Sequence, residues 1–190
     1  MRSIYRLYIN GPSPIVSFSD SAYCDTHFIG RSEIEEWARP EVYISGPSRP
    51  TKDVIMGSFQ APLVSEKFRD ALSPLVNGCA EFLPLMKLRK ENFYVLNVVK
   101  LVDCLDLQRS DILYASDEPG KILHIRKYVF DQGRLEEAPL FKVPEDVGNI
   151  FVSGRLLRLA CEYKLSGIGV DDPHDIRLAK NKSPVAGFPT

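Results

Sequence analysis

Phe93-Tyr94-Val95-Leu96-Asn97-Val98-Val99-Lys100-Leu101-Val102-Asp103-Cys104-Leu105-Asp106 is the longest apolar run in the chain. Polar side chains interrupt it only at Asn97, Lys100, Asp103 and Asp106. Its first half is aromatic and β-branched, the composition that suits a pleated strand. Tyr94, Leu96 and Val98 alternate with Phe93, Val95 and Val99. Both sets are apolar, which predicts a central strand buried on both faces and running into a polar turn at Asp103. Such a strand needs neighbours, and the rest of the chain supplies them.

Upstream, Ile4-Tyr5-Arg6-Leu7-Tyr8 alternates and predicts a first strand, ended by Gly11-Pro12. Residues 15–31 are mixed and read mostly as loop. Ser32-Glu33-Ile34-Glu35 has the form of a capping box and predicts a short helix stopped by Arg39-Pro40. Glu41–Ile44 and Asp53–Met56 read as short strands, with a loop over 45–50 between them. Ser65 is placed to cap a helix carrying Phe68, Ala71, Leu72 and Leu75, which Pro74 should end or kink. Asn77-Gly78 reads as a turn and Glu81–Leu85 as a strand.

Downstream, Ile112–Tyr114 and Lys121–Ile125 flank Asp117-Glu118-Pro119-Gly120, the mark of a hairpin. Tyr128–Phe130 continues it, and Leu140–Val143 adds a strand. Phe151-Val152-Ser153 then repeats the earlier pattern of Leu63-Val64-Ser65. A helical stripe of Leu156, Leu159, Ala160 and Tyr163 follows, then Ser166-Gly167 and a strand at 168–170. The repeat reads either as an internal duplication or as two independent helices that share a serine cap. The fold class expected is therefore α+β. A mixed, largely antiparallel sheet should carry two or three short helices, in one domain over 1–190. Residues 173–190 read as a C-terminal arm.

The bulk properties exclude more than they identify. A net charge of −1 gives no electrostatic case for nucleic-acid or membrane-surface binding. No apolar run approaches the roughly 20 residues of a membrane helix. Cys24, Cys79, Cys104 and Cys161 are too sparse for a disulfide scaffold and read as reduced thiols, which points to the cytoplasm. His27, His124 and His174 share no metal-ligand spacing, and no nucleophile elbow is present, so no catalytic residue, metal or cofactor is assigned. One charge pattern stands out. Asp103, Asp106, Asp111, Asp117 and Glu118 face a single base, Arg109, within one window. This is either a solvated face or an acidic patch that steers a basic partner. Trp37, the single tryptophan, is either a core residue or an interface anchor. Asn97 and Asp106 read first as structural, through bonds to nearby backbone.

The order of these motifs resembles the bacterial immunity protein family eleven, a former domain of unknown function associated with polymorphic toxin systems. The resemblance is carried by Phe93–Val99, Val102–Asp106 and Ser110. Tyr128–Asp131, Pro139–Pro144, Asn149–Ser153 and Leu165–Ile168 extend it, and Leu63–Ser65 and Phe82–Leu85 also fit. It spans about residues 60–172, leaving 1–59 as a less clearly matching β and loop portion. The resemblance implies a non-enzymatic protein that binds and neutralises a cognate toxin encoded nearby. Trp37 and the acids Asp103, Asp106, Asp111, Asp117 and Glu118 are the interface candidates read from the residues themselves. The alternatives are a small hydrolase or transferase with a scattered site, and an adaptor for a housekeeping protein.

Overall fold

A computed structural model describes residues 3–20, 27–46, 52–57, 61–88 and 90–173. The readings placed on Cys24, on 47–50, on His174 and on the arm from residue 174 lie outside those residues. The architecture is α+β. In chain order it runs β1 (Ile4–Ile9), β2 (Ile15–Phe18), β3 (Val42–Ser45), β4 (Val54–Gly57) and β5 (Leu63–Ser65). Then come α1 (Glu66–Val76), β6 (Ala80–Leu88), β7 (Glu91–Val98), β8 (Asp111–Tyr114) and β9 (Ile122–Lys127). The last elements are β10 (Leu140–Val143), β11 (Asp146–Ser153), α2 (Gly154–Glu162) and β12 (Ile168–Asp171).

One sheet has the order β10-β11-β1-β12 and is antiparallel throughout. A second has the order β3-β2-β4-β5-β7-β6, with β2 and β4 as its parallel pair. The two are stitched together by backbone bonds. Lys142 N donates to Lys100 O and Val102 N to Lys142 O, each at 2.9 Å, so the chain beyond β7 borders β10. At the other side Val54 N donates to Ser166 O at 3.0 Å. Gly167 makes that approach feasible. A Cβ there would sit 2.3 Å from Val54 O, and its φ of +85° also favours glycine.

β7 is the strand expected from the sequence. Phe93 to Val98 are all buried, and the alternation sorts them between two cores. Tyr94, Leu96 and Val98 face the cluster built by Phe68 and Leu72 of α1 and Leu156 and Leu157 of α2. Phe93 and Val95 face Val16, Phe18, Phe28, Leu63 and Leu83. A third cluster, around Tyr128, Phe130, Phe141 and Phe151, lies under the segment between β7 and β10. Its rings meet edge-on at 5.0–5.2 Å, the arrangement their quadrupoles favour.

The repeated grammar of the two helical units extends to topology. β5–α1–β6 and β11–α2–β12 each join parallel strands separated by one antiparallel strand, β7 in the first and β1 in the second. Ser65 Oγ accepts from Phe68 N at 3.2 Å and Ser153 Oγ from Leu156 N at 3.4 Å, so both serines cap as expected. Asp53 ties the units together. It accepts from Ser65 Oγ at 2.8 Å, Ser166 N at 2.8 Å and Ser166 Oγ at 2.7 Å.

Three expectations need correction. The capping-box helix does not form, and 34–36 is a single turn. Ser32 donates its hydroxyl to Glu81 instead, Glu33 N donates to the same carboxylate at 3.0 Å, and the Glu33 side chain turns inward to accept from Phe28 N at 2.8 Å. Tertiary partners took the groups a cap would have used. Residues 15–18, read as loop, form β2, because Val16 and Phe18 alternate into the core between β3 and β4. Pro74 does not end α1 at once, since the helix runs two residues further, to Val76. Proline forfeits the bond to Asp70 O, a single loss close to the C-terminal end of the helix.

Candidate partner-binding surface

The segment from Asp103 to Lys127 carries most of the candidate residues, and local backbone bonds give it shape. Asp106 Oδ1 accepts from Gln108 N and Arg109 N, both at 3.1 Å, so this aspartate caps the turn as its position suggested. Asp106 N donates to Val129 O at 2.8 Å, and Ser110 Oγ accepts from Val129 N at 3.0 Å. These bonds fix the start of the β8–β9 hairpin, a two-stranded sheet of its own with shifts of register at 111/112 and 113/114. Ile125 is buried against the third core, with Ile112 and Ile122 beside it. The turn closes through Ala115 N to Lys121 O at 2.9 Å, with Gly120 at a φ of +85°.

The hairpin also leaves large apolar side chains exposed. Leu113, Tyr114 and Leu123 all show, Leu123 at 57%. Acids surround them. Asp111 lies 3.9 Å from Arg126, Glu118 pairs with Lys121 at 2.8 Å, and Asp117 is exposed on the loop. Asp103 pairs with Arg134 at 3.1 Å, and that guanidinium also donates to Asp131 Oδ2 at 3.1 Å and to Leu105 O at 2.9 Å. The local excess of negative charge is thus met in space by Lys121, Arg126 and Arg134, all outside the window in which it was counted. Exposed pairs of this kind are weak, because solvent screens them. The hairpin thus carries exposed apolar side chains among charged ones.

Trp37 belongs elsewhere. Its Nε1 donates to Pro84 O at 2.9 Å on β6, and its ring lies 6.1 Å from that of Phe28 in the second core. It is half-buried, so it is both a packing residue and partly presented to solvent. The structure groups Asp103, Asp106, Asp111, Asp117 and Glu118 along one segment and sets Trp37 on a different core.

Sequence reasoning placed Leu113, Tyr114 and Leu123 in the hairpin but did not single them out as exposed contacts. Asn97 is structural, as read, but its partners are distant in sequence, and the buried polar set around it was not foreseen. Asn97 is fully buried, and its Nδ2 donates to Arg31 O at 2.9 Å and Glu81 Oε2 at 3.0 Å. Among the described residues its Oδ1 has no hydrogen-bond partner. Lys142, also fully buried, donates from Nζ to Phe28 O, and His27 Nδ1 meets Glu33. Burial pulls Lys142 down to about 8, against which Asp146 and Glu33 pull it upward. These groups hold the 27–37 loop over the second core. Burial pushes the Cys104 thiol up to about 12, and burial together with the Asp146 acceptor holds Tyr128 far above its usual range. Among the described residues no group of three or more His, Cys, Asp or Glu is placed to hold a metal ion. None of their helices is long and apolar enough to cross a membrane.

No curated protein matches the chain in a sequence comparison. A family comparison does, over residues 20–175, to the description Immunity protein family (Imm11). That span takes in β7, the hairpin and both capped helices. It also reaches into the N-terminal portion, 20–59, where the sequence resemblance was less clear. On a match covering well over half its length, the chain belongs to the immunity protein family Imm11.

Proposed function

We propose that this chain is a non-enzymatic bacterial immunity protein, which binds a cognate toxin in the cytoplasm and blocks its active site or substrate path. Membership of the immunity protein family carries the reading. The toxin is expected from a neighbouring gene. The contact surface is the β8–β9 hairpin, with the exposed Leu113, Tyr114 and Leu123 as its apolar contacts and Asp103, Asp106, Asp111, Asp117 and Glu118 along the same segment. Apolar anchors in such a patch supply affinity, while rim acids steer a basic partner and set the association rate. Trp37 is a second anchor, at the margin of the 27–37 loop.

Co-expression tests this. The adjacent open reading frame is expressed alone and with this chain. Toxicity relieved by the chain, with the two proteins co-purifying, is the expected result. A harmless neighbour, or toxicity without rescue, overturns the reading. The hairpin is tested in the same pair. Reversing Asp111, Asp117 and Glu118 to lysine should slow association about tenfold at low salt and leave dissociation nearly unchanged. Leu123→Asp should instead speed dissociation. An association rate indifferent to both charge and salt would remove the hairpin from the interface.

A further inference from the structure

The sheet edges among the described residues differ in how well they are protected, and β3 is the least protected. β6 carries Pro84 and a bulge at 84/86, and Trp37 Nε1 occupies the Pro84 carbonyl. β10 is bordered by Lys100–Val102, through Lys142 N to Lys100 O and Val102 N to Lys142 O. The start of β12 is approached by Val54 through its bond to Ser166 O. β8 and β9 are bulged, and Asp111, Arg126 and Lys127 lie along them. These are the devices by which proteins keep strand edges from pairing. β3 has none of them. Val42-Tyr43-Ile44-Ser45 contains no charge, no proline and no bulge.

The register shows which groups of β3 are free. Ser19 N donates to Glu41 O at 3.0 Å, which makes that a hydrogen-bonded pair of the β2–β3 ladder. Such pairs alternate, so Tyr43 and Ser45 also turn their backbone groups toward β2. The N–H and C=O of Val42 and Ile44 therefore face outward. The next outward position, residue 40, is proline and has no N–H to offer. Beside this edge the surface is apolar. Tyr43 is 62% exposed and Ile44 45%, and Ile15 and Met56 share the face of Tyr43 and are exposed as well.

We infer that β3 pairs with β3 of a second copy, antiparallel, about a two-fold axis at Tyr43. The edge is self-complementary in this register. Val42 of each copy exchanges both its backbone bonds with Ile44 of the other, so every outward group of the strand is satisfied. Tyr43 then lies opposite Tyr43 in a non-hydrogen-bonded pair, where side chains approach closely. Glu41 falls opposite Ser45, so no like charges meet. Ile15 and Met56 of both copies extend the apolar strip across the join. The inference goes beyond the immunity reading and does not depend on it. The contact is short, so it belongs to the weak, concentration-dependent class of interface.

Sedimentation of the whole chain from about 5 to 200 µM should show a shift from monomer to dimer, as a short interface of this size implies. Ile44→Pro removes an outward N–H while sparing every bond to β2, and Tyr43→Lys places like charges on the axis. Each should weaken the dimer at least tenfold with the circular dichroism spectrum unchanged. A crosslink test stands apart from those variants. In a Cys24→Ser, Cys161→Ser background, Tyr43→Cys should form an intermolecular disulfide on mild oxidation, and Ser45→Cys should not, because residue 45 lies across from 41. A wild-type chain that stays monomeric at the highest concentration overturns the inference, whatever other strand the edge takes. So does a dimer that survives both edge variants, or crosslinking as efficient from position 45 as from 43.

Discussion

Lys142 puts an ammonium group where water does not reach. Its Nζ is held by Phe28 O, on a loop residue with the unusual φ of 63°, so the side chain ties β10 to the lid of the second core. Burial brings its pKa from an ordinary 10.5 down to about 8. Between those values the unfolded chain binds the extra proton and the folded one does not, so stability rises with pH across that window. Lys142→Met lacks this contribution. The stability of wild type relative to Lys142→Met should therefore increase by about 3 kcal/mol from pH 7 to pH 11, most of it between 8 and 10.5, in urea titrations. A difference that does not change with pH would mean that the buried amine titrates as it does in the unfolded chain.

At the scale of elements, Asp53 is the joint between the two capped helical units. Burial alone would raise its carboxyl pKa. The bonds from Ser166 N, Ser166 Oγ and Ser65 Oγ, with the charge of Lys67, outweigh that and hold it below 3.8. The sign follows directly. Its contribution is complete above the unfolded pKa and is lost as pH falls through the lower folded one. Asp53→Ala should cost about 2–4 kcal/mol at neutral pH, because Ser65 and Ser166 lose a charged acceptor together, and the variant's acid limb should be shallower than that of wild type. Urea melts at pH 7 and pH 3 check both parts, and equal losses at the two would remove the carboxylate from the account.

For the whole molecule, β7 lies between two of the three cores, and Lys142 and the 99–102 segment bind the sheets to one another. Strands that share a core and a backbone ladder have little means of melting separately. The chain is expected to unfold as one cooperative unit. Trp37 reports on the second core, far-UV circular dichroism on both sheets, and near-UV circular dichroism on the aromatic packing of the three cores together. The three urea transitions should coincide. A tryptophan transition well ahead of the others would mark the 27–37 lid and its core as a separate unit.

What could be read without the structure depended on how local each signal is. β7 declares itself because both its faces are apolar over consecutive residues, and Ser65 and Ser153 because a cap acts within three residues of itself. The hairpin is legible for the same reason, since Asp117–Gly120 and the flanking alternation are neighbours in sequence. Ser32 and Glu35 carry an equally local signal, yet Glu81, far along the chain, takes the serine hydroxyl and the helix does not form. Val16 and Phe18 are too few to announce a strand until β3 and β4 arrive beside them. Lys142 reads as an ordinary surface lysine in Leu-Phe-Lys-Val. The sequence alone determined the α+β class, the family and the acidic segment, because each rests on short-range pattern or on motif order. Only the tertiary structure decided which bases answer those acids, which apolar residues are left exposed, and which strand ends its sheet with its backbone groups unpaired. Those are matters of which distant segments meet, and a hydrogen bond or a buried contact forms only when both partners are in place.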